Sequence, residues 1–196
     1  LASAFRDAMR RIASSVTLVT TRDAAGRPHG MAASAVIPVS LDPPSLLIAV
    51  NRNAGLHPTL SIEGRFCVNL LADAHQALLA DFSRSDRRAE RFLAGQWETD
   101  SDALPRLASA PAAVSCQVEQ RIDYGSHSLF IGRVTAVQVA GQPERPLIWF
   151  DGAGASLASP PPAACPTNAA CSTRAASQIS AAGPIDRAWV DPGTAR

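Results

Sequence analysis

Short runs of β-branched and apolar residues, separated by turn signals, are what most restrict the folds open to this chain. Val16-Thr17-Leu18-Val19-Thr20-Thr21 is followed by Asp23-Ala24-Ala25-Gly26-Arg27-Pro28, a turn, and then by a second run from Gly30 to Val39. These two read as a hairpin. Asp42-Pro43-Pro44 breaks the chain before the apolar stretch Leu46 to Val50, and Phe66-Cys67-Val68-Asn69-Leu70-Leu71 is a further strand. Ala113 to Asp123, Leu129 to Val139 and Pro146 to Phe150 complete the set, with Tyr124-Gly125-Ser126-His127-Ser128 as a tight turn between the first two. In Ala113–Asp123, Val114, Cys116, Val118, Gln120 and Ile122 share one face, and Ser115, Gln117, Glu119 and Arg121 the other. That is the alternation of a strand with one dry and one wet side. Six or seven strands joined mostly by short turns leave little room for crossover helices. They favour a small closed antiparallel barrel over a layered parallel sheet.

Helical patterns are few. Phe5, Met9 and Ile12 recur at helical spacing, which predicts an amphipathic helix over 3–13. Pro58 suits the first turn of a helix running to about Glu63. Asp73 to Phe82 places Leu78, Leu79 and Phe82 on one helical face. Ser83 to Gln96 is a charged, partly helical excursion whose Arg84, Arg87, Arg88 and Arg91 read as a solvated face. After Asp151 the pattern stops: Pro160-Pro161-Pro162 stands among Ala, Ser, Thr and Gly. The expected division is a folded domain over 1–152 and a Pro/Ala-rich tail over 153–196, disordered or loosely packed.

Charge and motifs remove several classes of function. The chain of 196 residues carries 18 Lys+Arg, all of them Arg, against 17 Asp+Glu, a formal net charge of +1. That balance argues against a nucleic-acid partner. Asp86 and Glu90 interleave the densest Arg cluster. No apolar run reaches the roughly 18–20 residues of a membrane span, and Leu1–Arg11 does not read as a secretory signal, so no membrane association is expected. Without Lys there is no phosphate-binding P-loop. No G-x-S-x-G elbow occurs, and Gly152-Ala153-Gly154 has Leu157 where a dinucleotide fingerprint needs its third glycine. His29, His57, His75 and His127 lack metal-site spacing, and no metal is expected. Cys67 and Cys116 fall in apolar runs as small buried hydrophobes. Cys165 and Cys171 lack a second pair to complete a zinc site, and a reducing cytoplasm is the expected location.

Three places carry chemistry. Ala33-Ser34-Ala35 would let a flat ring approach the backbone, with the Ser34 hydroxyl as donor, though tight packing of two strands reads equally well. Asn51-Arg52-Asn53-Ala54 before the Pro58 helix suits an anion, or Asn53 serves only as a helix cap. His127 lies in a turn, where a core histidine is less expected.

Taken in order, five segments resemble the flavin reductase-like family. They are Val16–Thr21, Gly30-Met31-Ala32-Ala33-Ser34-Ala35, Val39–Leu46, Arg65–Leu71 and Tyr124–Val134, within a resemblance from Phe5 to about Gly152. The resemblance implies a mainly β fold, a split antiparallel β-barrel of the FMN-binding kind with a few inserted helices, usually a homodimer. It implies reduction of FMN or FAD by NADH or NADPH, with reduced flavin supplied to a separate monooxygenase. It assigns cofactor contact to Met31, Ala33, Ser34 and Ala35, to Asn51, Arg52, Asn53, Ala54 and His57, and to Phe82, Ser83 and Arg84. His127 is placed where nicotinamide docks, with Ser126 where the family often has Asp. Hydride transfer between two rings needs proximity and orientation and no general acid or base, in keeping with the missing triad. The other reading is a flavin-binding electron-transfer or sensor barrel that does not turn over NAD(P)H.

Overall fold

A computed structural model describes residues 1–142, 144–155 and 157. Most of the expected tail, with Cys165 and Cys171, lies outside the described residues. Helix α1 (Ala2–Met9) leads into β1 (Ser14–Ser15), β2 (Thr17–Arg22), β3 (Pro28–Ala33), β4 (Val36–Leu41) and β5 (Pro44–Asn51). Then come α2 (His57–Glu63), β6 (Arg65–Leu70), α3 (Gln76–Ser83), β7 (Trp97–Thr99) and β8 (Pro105–Leu107). The long pair β9 (Ala112–Tyr124) and β10 (His127–Val139) is followed by β11 (Ile148–Phe150) and β12 (Ala153–Ala155). No helix among the described residues is long and apolar enough to cross a membrane.

Seven strands form one antiparallel sheet in the order β3-β2-β6-β9-β10-β5-β4. Its two edge strands are consecutive in sequence, with only Ser34 and Ala35 between them. A link that short spans at most about 11 Å, whereas seven strands laid flat would put their edges about 29 Å apart. The sheet must therefore roll until its edges approach. β3 and β4 do not pair, so the roll stays split along that seam. The single strand expected from Gly30 to Val39 is thus two, on opposite edges, and the closed barrel expected from the strand count is an open one. Asp42 and Pro43 are the two-residue turn of the β4–β5 hairpin, with Leu41 opposite Pro44.

Both faces of the sheet are covered. On β2, Val19 joins a cluster with Ile48, Val50, Leu60, Phe66 and Phe130. Its neighbour Leu18 joins another with Leu71, Leu78, Leu79, Phe82 and Leu107. Successive side chains of a strand point to opposite sides, so β2 feeds the inside of the roll and the layer under α3. The alternation expected of Ala113–Asp123 fails for the same reason: Ser115, on the side read as wet, is only 3% exposed. Its hydroxyl donates to the Asp100 carboxylate. Ile122, on the side read as dry, is exposed where the β9–β10 pair runs beyond the core. Cys67 and Cys116 are buried free thiols, pushed up to about 11 and about 12 chiefly by burial.

Three helix expectations shift. Helix α1 ends at Met9, short of Ile12, and buries none of its residues. Leu56, not Asn53, is the N-terminal cap of α2, and Asn53 instead donates its backbone N–H to the Asn51 side chain at 2.9 Å. Arg91, read as part of a solvated face, is buried. A separate three-stranded sheet, in the order β1-β11-β12, extends past residue 152, where β12 pairs with β11 through Ala155.

Candidate functional site

Among the described residues β3 pairs only with β2, and its other side is covered by packing instead of a strand. Gly30 makes that possible: a β-carbon there would lie 2.6 Å from the Phe82 ring, so only glycine lets the end of α3 sit this close. Arg91 then locks the contact. Its guanidinium, in a residue 9% exposed, donates to Gly30 O at 2.6 Å, Asp81 O at 3.1 Å and Arg84 O at 2.8 Å. It also lies 6.0 Å from the centre of the Phe82 ring. A cation at the carbonyl end of α3 meets the negative end of the helix. Burial, then the neighbouring Arg88, lowers the Arg91 pKa.

The nearby carboxylates are otherwise taken. Arg87 reaches Asp81 at 2.8 Å and also pairs with Glu90, while Arg84 grips Asp86 through two hydrogen bonds of 3.1 and 2.6 Å. Among the described residues this leaves Arg88 without an acidic partner. Its guanidinium lies over Gly55, so close that a β-carbon there would collide with it.

These contacts shape two connected grooves beside β3. One, of about 280 Å³, runs between Met31 and Ala32 on one side and Asn53, Ala54 and Gly55 on the other, with Phe82, Ser83 and Ser85 at the α3 end. Arg88 and Arg91 border it. The other, of about 130 Å³, is lined by Ala33, Ser34, Leu79, Ser83 and Trp149. They meet at Ala32 and Ser83. The pair makes a slot with small side chains along β3, hydroxyls at Ser83 and Ser85, and at one end the Arg88 guanidinium, unpaired among the described residues.

Of the residues expected at the site, the slot brings together Met31, Ala33, Ser34, Asn53, Ala54, Phe82 and Ser83. Phe82 contributes mostly to the core, edge-to-face with Phe92 at 5.3 Å and tilted against Trp97 at 5.6 Å between ring centres. The remaining cofactor candidates lie elsewhere. Ala35 is exposed and its carbonyl accepts from the Ala49 N–H at 3.1 Å. Arg84 is occupied by Asp86. Asn51 pairs across the sheet with His127. Arg52 ties the β5–α2 loop to the β9–β10 turn, its N–H donating to Ser126 O at 2.9 Å and its guanidinium to Gly125 O. Gly125 holds the turn at φ +56°, a left-handed conformation.

His57, 8% exposed, faces Ser128 instead of the slot. The hydrogen-bond directions can be assigned. Asp123 can only accept, so the Ser128 hydroxyl donates to it at 2.5 Å, and Ser128 must then accept from His57 Nε2 at 2.7 Å. Asp123 is held down to about 2, first by its hydrogen bonds from Arg121 and then by Ser128. His127 opens β10 instead of lying in the turn. It is half-buried beside Asn51, with Ser126 Oγ 2.9 Å from its Nδ1. It borders neither groove.

Ser85, Arg88, Arg91 and Trp149 are not singled out by the sequence. One trace of them exists there: residues 81–91 hold four Arg and three acids, a surplus cation. Which Arg stays unpaired depends on the fold. Among the described residues no cluster of His, Cys, Asp or Glu is placed to hold a metal ion.

The buried histidines give a pH prediction. Burial lowers the pKa of both His57 and His75 from the usual 6.5; Arg121 and Arg52 add to this at His57, while Asp123 opposes it and Glu144 opposes it at His75. His75 Nδ1 accepts the Ala72 N–H at 3.0 Å, which requires the neutral ring. The unfolded chain takes up these protons near pH 6.5 and the folded chain only at lower pH. Stability is therefore full above 6.5, falls as pH drops through it, and levels off once the folded rings also titrate. Denaturant midpoints should drop between about pH 7.5 and 5.5, and less so in a His57→Gln, His75→Gln double variant. Equal drops in both proteins would refute the assignment.

Comparison with known proteins adds the following. The flavin reductase like domain family matches residues 9–158. A protein of Klebsiella pneumoniae subsp. pneumoniae named FMN reductase (NADH) RutF is 37% identical over 158 residues, which are 81% of this chain and 95% of that protein. Among solved structures, flavin reductase PheA2 superposes with a TM-score of 0.72 at 32% identity, over 80% of this chain and 98% of the other. BorF, the flavin reductase component of a bacterial two-component tryptophan halogenase, superposes with a TM-score of 0.73 at 28% identity, over 80% and 98%.

Proposed function

The chain belongs to the flavin reductase like family and is a flavin oxidoreductase, and on that premise we propose that it reduces FMN with NADH in the slot beside β3. The observation that carries this reading is the slot itself: small side chains along β3, ending at a guanidinium that no acid among the described residues neutralises. The residues present fit a flavin. Ala32, Ala33 and Ser34 let a flat ring system lie against the backbone, and Trp149 supplies an aromatic wall. Ser83, Ser85 and Arg88 offer two hydroxyl donors and a cation to a phosphate. Bound flavin supplies the hydride acceptor for a dihydronicotinamide.

The protein's own part is positioning. Arg91 holds the α3 end against β3, and Arg52 fastens the loop that carries Asn53 and Ala54 to the β9–β10 turn. The His57–Ser128–Asp123 chain pins the same two segments from inside. We assign to His127 the orientation of the nicotinamide, on the strength of its half-buried ring beside that loop.

We extend the reading to two partners. The reduced flavin is passed to a separate oxygenase component, by analogy with BorF, which is the reductase half of a two-component halogenase. A second copy of the chain covers exposed apolar residues, among them Phe5 and Met9 of α1 and Ile37, Val39 and Leu41 of β4. The buried thiols Cys67 and Cys116 suit work in a reducing cytoplasm.

Mixing the protein with NADH and FMN and following the nicotinamide absorbance tests the activity. Oxidation that depends on added flavin is the expected result. No oxidation with either nicotinamide and any flavin overturns it, and flavin binding without oxidation would point to an electron-transfer or sensor barrel. His127→Ala should raise the NADH KM roughly five- to tenfold and leave FMN affinity unchanged. Unaltered kinetics would remove His127 from the site.

A further inference from the structure

The β5–α2 loop and the β9–β10 turn are joined twice, and the two joints differ in kind. On the outside, the Arg52 backbone N–H donates to Ser126 O at 2.9 Å and its guanidinium to Gly125 O. On the inside, four side chains run in series. His57 Nε2 donates to Ser128 Oγ at 2.7 Å, and the Ser128 hydroxyl donates to Asp123 Oδ1 at 2.5 Å. The Arg121 guanidinium then closes on both oxygens of Asp123, each at 2.9 Å. We propose that Asp123 is a positioning residue for hydride transfer: through Ser128 and His57 it sets the spacing between the loop that borders the slot and the strand end that carries His127. The proposal rests on the slot being the flavin site.

Three observations support it. First, the series has a fixed direction. A carboxylate only accepts, so the Ser128 hydrogen is committed to Asp123 and the serine oxygen is left to accept from His57. The bonds from Arg121, then Ser128, hold Asp123 at about 2, so it stays ionised at neutral pH. Second, loop and turn share one buried reference. Phe130, fully buried in the cluster inside the roll, meets the His57 ring edge-on at 5.7 Å and has the Arg121 guanidinium 5.9 Å from its centre. Third, the grip falls beside the residue it must place. Ser128 lies opposite Asp123 and directly follows His127, which lies opposite Asn51. Neighbouring side chains of a strand point to opposite sides, so the series holds β10 from the core while the His127 ring stands on the other face. Any shift of Ser128 carries His127 with it, since the two are only about 3.3 Å apart along the strand. Two rings exchanging a hydride need their reacting atoms about 3–3.5 Å apart, and an error of about 1 Å can cost about 100-fold in rate. Arg52, an exposed side chain, keeps the segments together; the buried series fixes their distance.

The Asp123 side chain is 46% exposed, so Asp123→Ala leaves the core filled. Ser128→Ala cuts the same series at its buried middle, and the double variant tests whether the two act as one. Three measurements read the result: the single-turnover rate of FMN reduction at saturating NADH, FMN affinity by flavin fluorescence, and the denaturant midpoint. Each single variant should slow reduction about tenfold with FMN affinity unchanged. The double variant should be no slower than the slower single one, because a series already broken has nothing more to lose. An unchanged reduction rate in Asp123→Ala overturns the proposal. So does full additivity in the double variant, or a slower rate matched by equal losses of FMN affinity and stability, which would mark a general loosening of the barrel. A wild-type protein that reduces no flavin removes the flavin-reductase reading and this proposal with it, whereas an active wild type with equally active variants removes this proposal alone.

Discussion

Replacing Arg91 with Leu is expected to lower stability by about 3–5 kcal/mol and to abolish tight flavin binding together with it. The three hydrogen bonds of Arg91 all end on backbone carbonyls, those of Gly30, Asp81 and Arg84. Bonds from a charged donor contribute about 1.5–3 kcal/mol each, and they do not add fully. Leu has nearly the bulk to fill the space but no donor, so three carbonyls at the α3–β3 contact lose their partner. The end of α3 would then be free to leave β3, taking Phe82, Ser83 and Ser85 away from the slot. Arg91→Lys separates charge from geometry: a lysine keeps the cation but not the planar fork, and should recover less than half of the loss. Chemical denaturation of the three proteins, with FMN titrations, measures both effects. A Leu variant as stable as the wild type would mean that water satisfies those carbonyls.

Ser83→Trp is expected to leave stability nearly unchanged and to weaken FMN about 100-fold, roughly 2.7 kcal/mol. Ser83 ends α3, is exposed, and is one of two residues that border both grooves of the slot. The other, Ala32, packs against the core and cannot be enlarged without disturbing it. An indole at position 83 removes nothing buried, yet it occupies the junction through which a flat ligand would lie. Unfolding midpoints and FMN fluorescence titrations decide it. Unaltered FMN affinity in a folded Ser83→Trp protein places the flavin elsewhere.

The strands are legible because their signal is local. Thr17–Arg22, Arg65–Leu70 and the β9–β10 pair all appear close to where branching and alternation put them. The same holds for α2, where Pro58 sits in the first turn, and for the apolar face of α3. Gly30–Val39 reads as one strand because nothing local marks Ser34-Ala35 as the place where the chain crosses from one edge of the sheet to the other. Ser115 reads as wet because the Asp100 that satisfies it comes from a loop outside β9, invisible to any window along the strand.

At the candidate site, the family resemblance named Ala33-Ser34, Asn53-Ala54 and Phe82-Ser83, and the structure brings these to the grooves beside β3. Small residues and a polar loop ahead of a helix are features of composition and spacing. They are not enough to say which cation is available. Arg52, His57 and Arg84 are candidates by sequence, and each is engaged by a partner: Gly125, Ser128 and Asp86. Arg88 is left over because Arg87 takes two acids and Arg91 is buried among carbonyls. The chain alone thus determined which segments become strands and helices, through steric and hydrophobic preferences that act over a few residues. Only the tertiary structure decided which charges cancel, because an ion pair depends on distances of a few ångströms between side chains that spacing along the chain does not set.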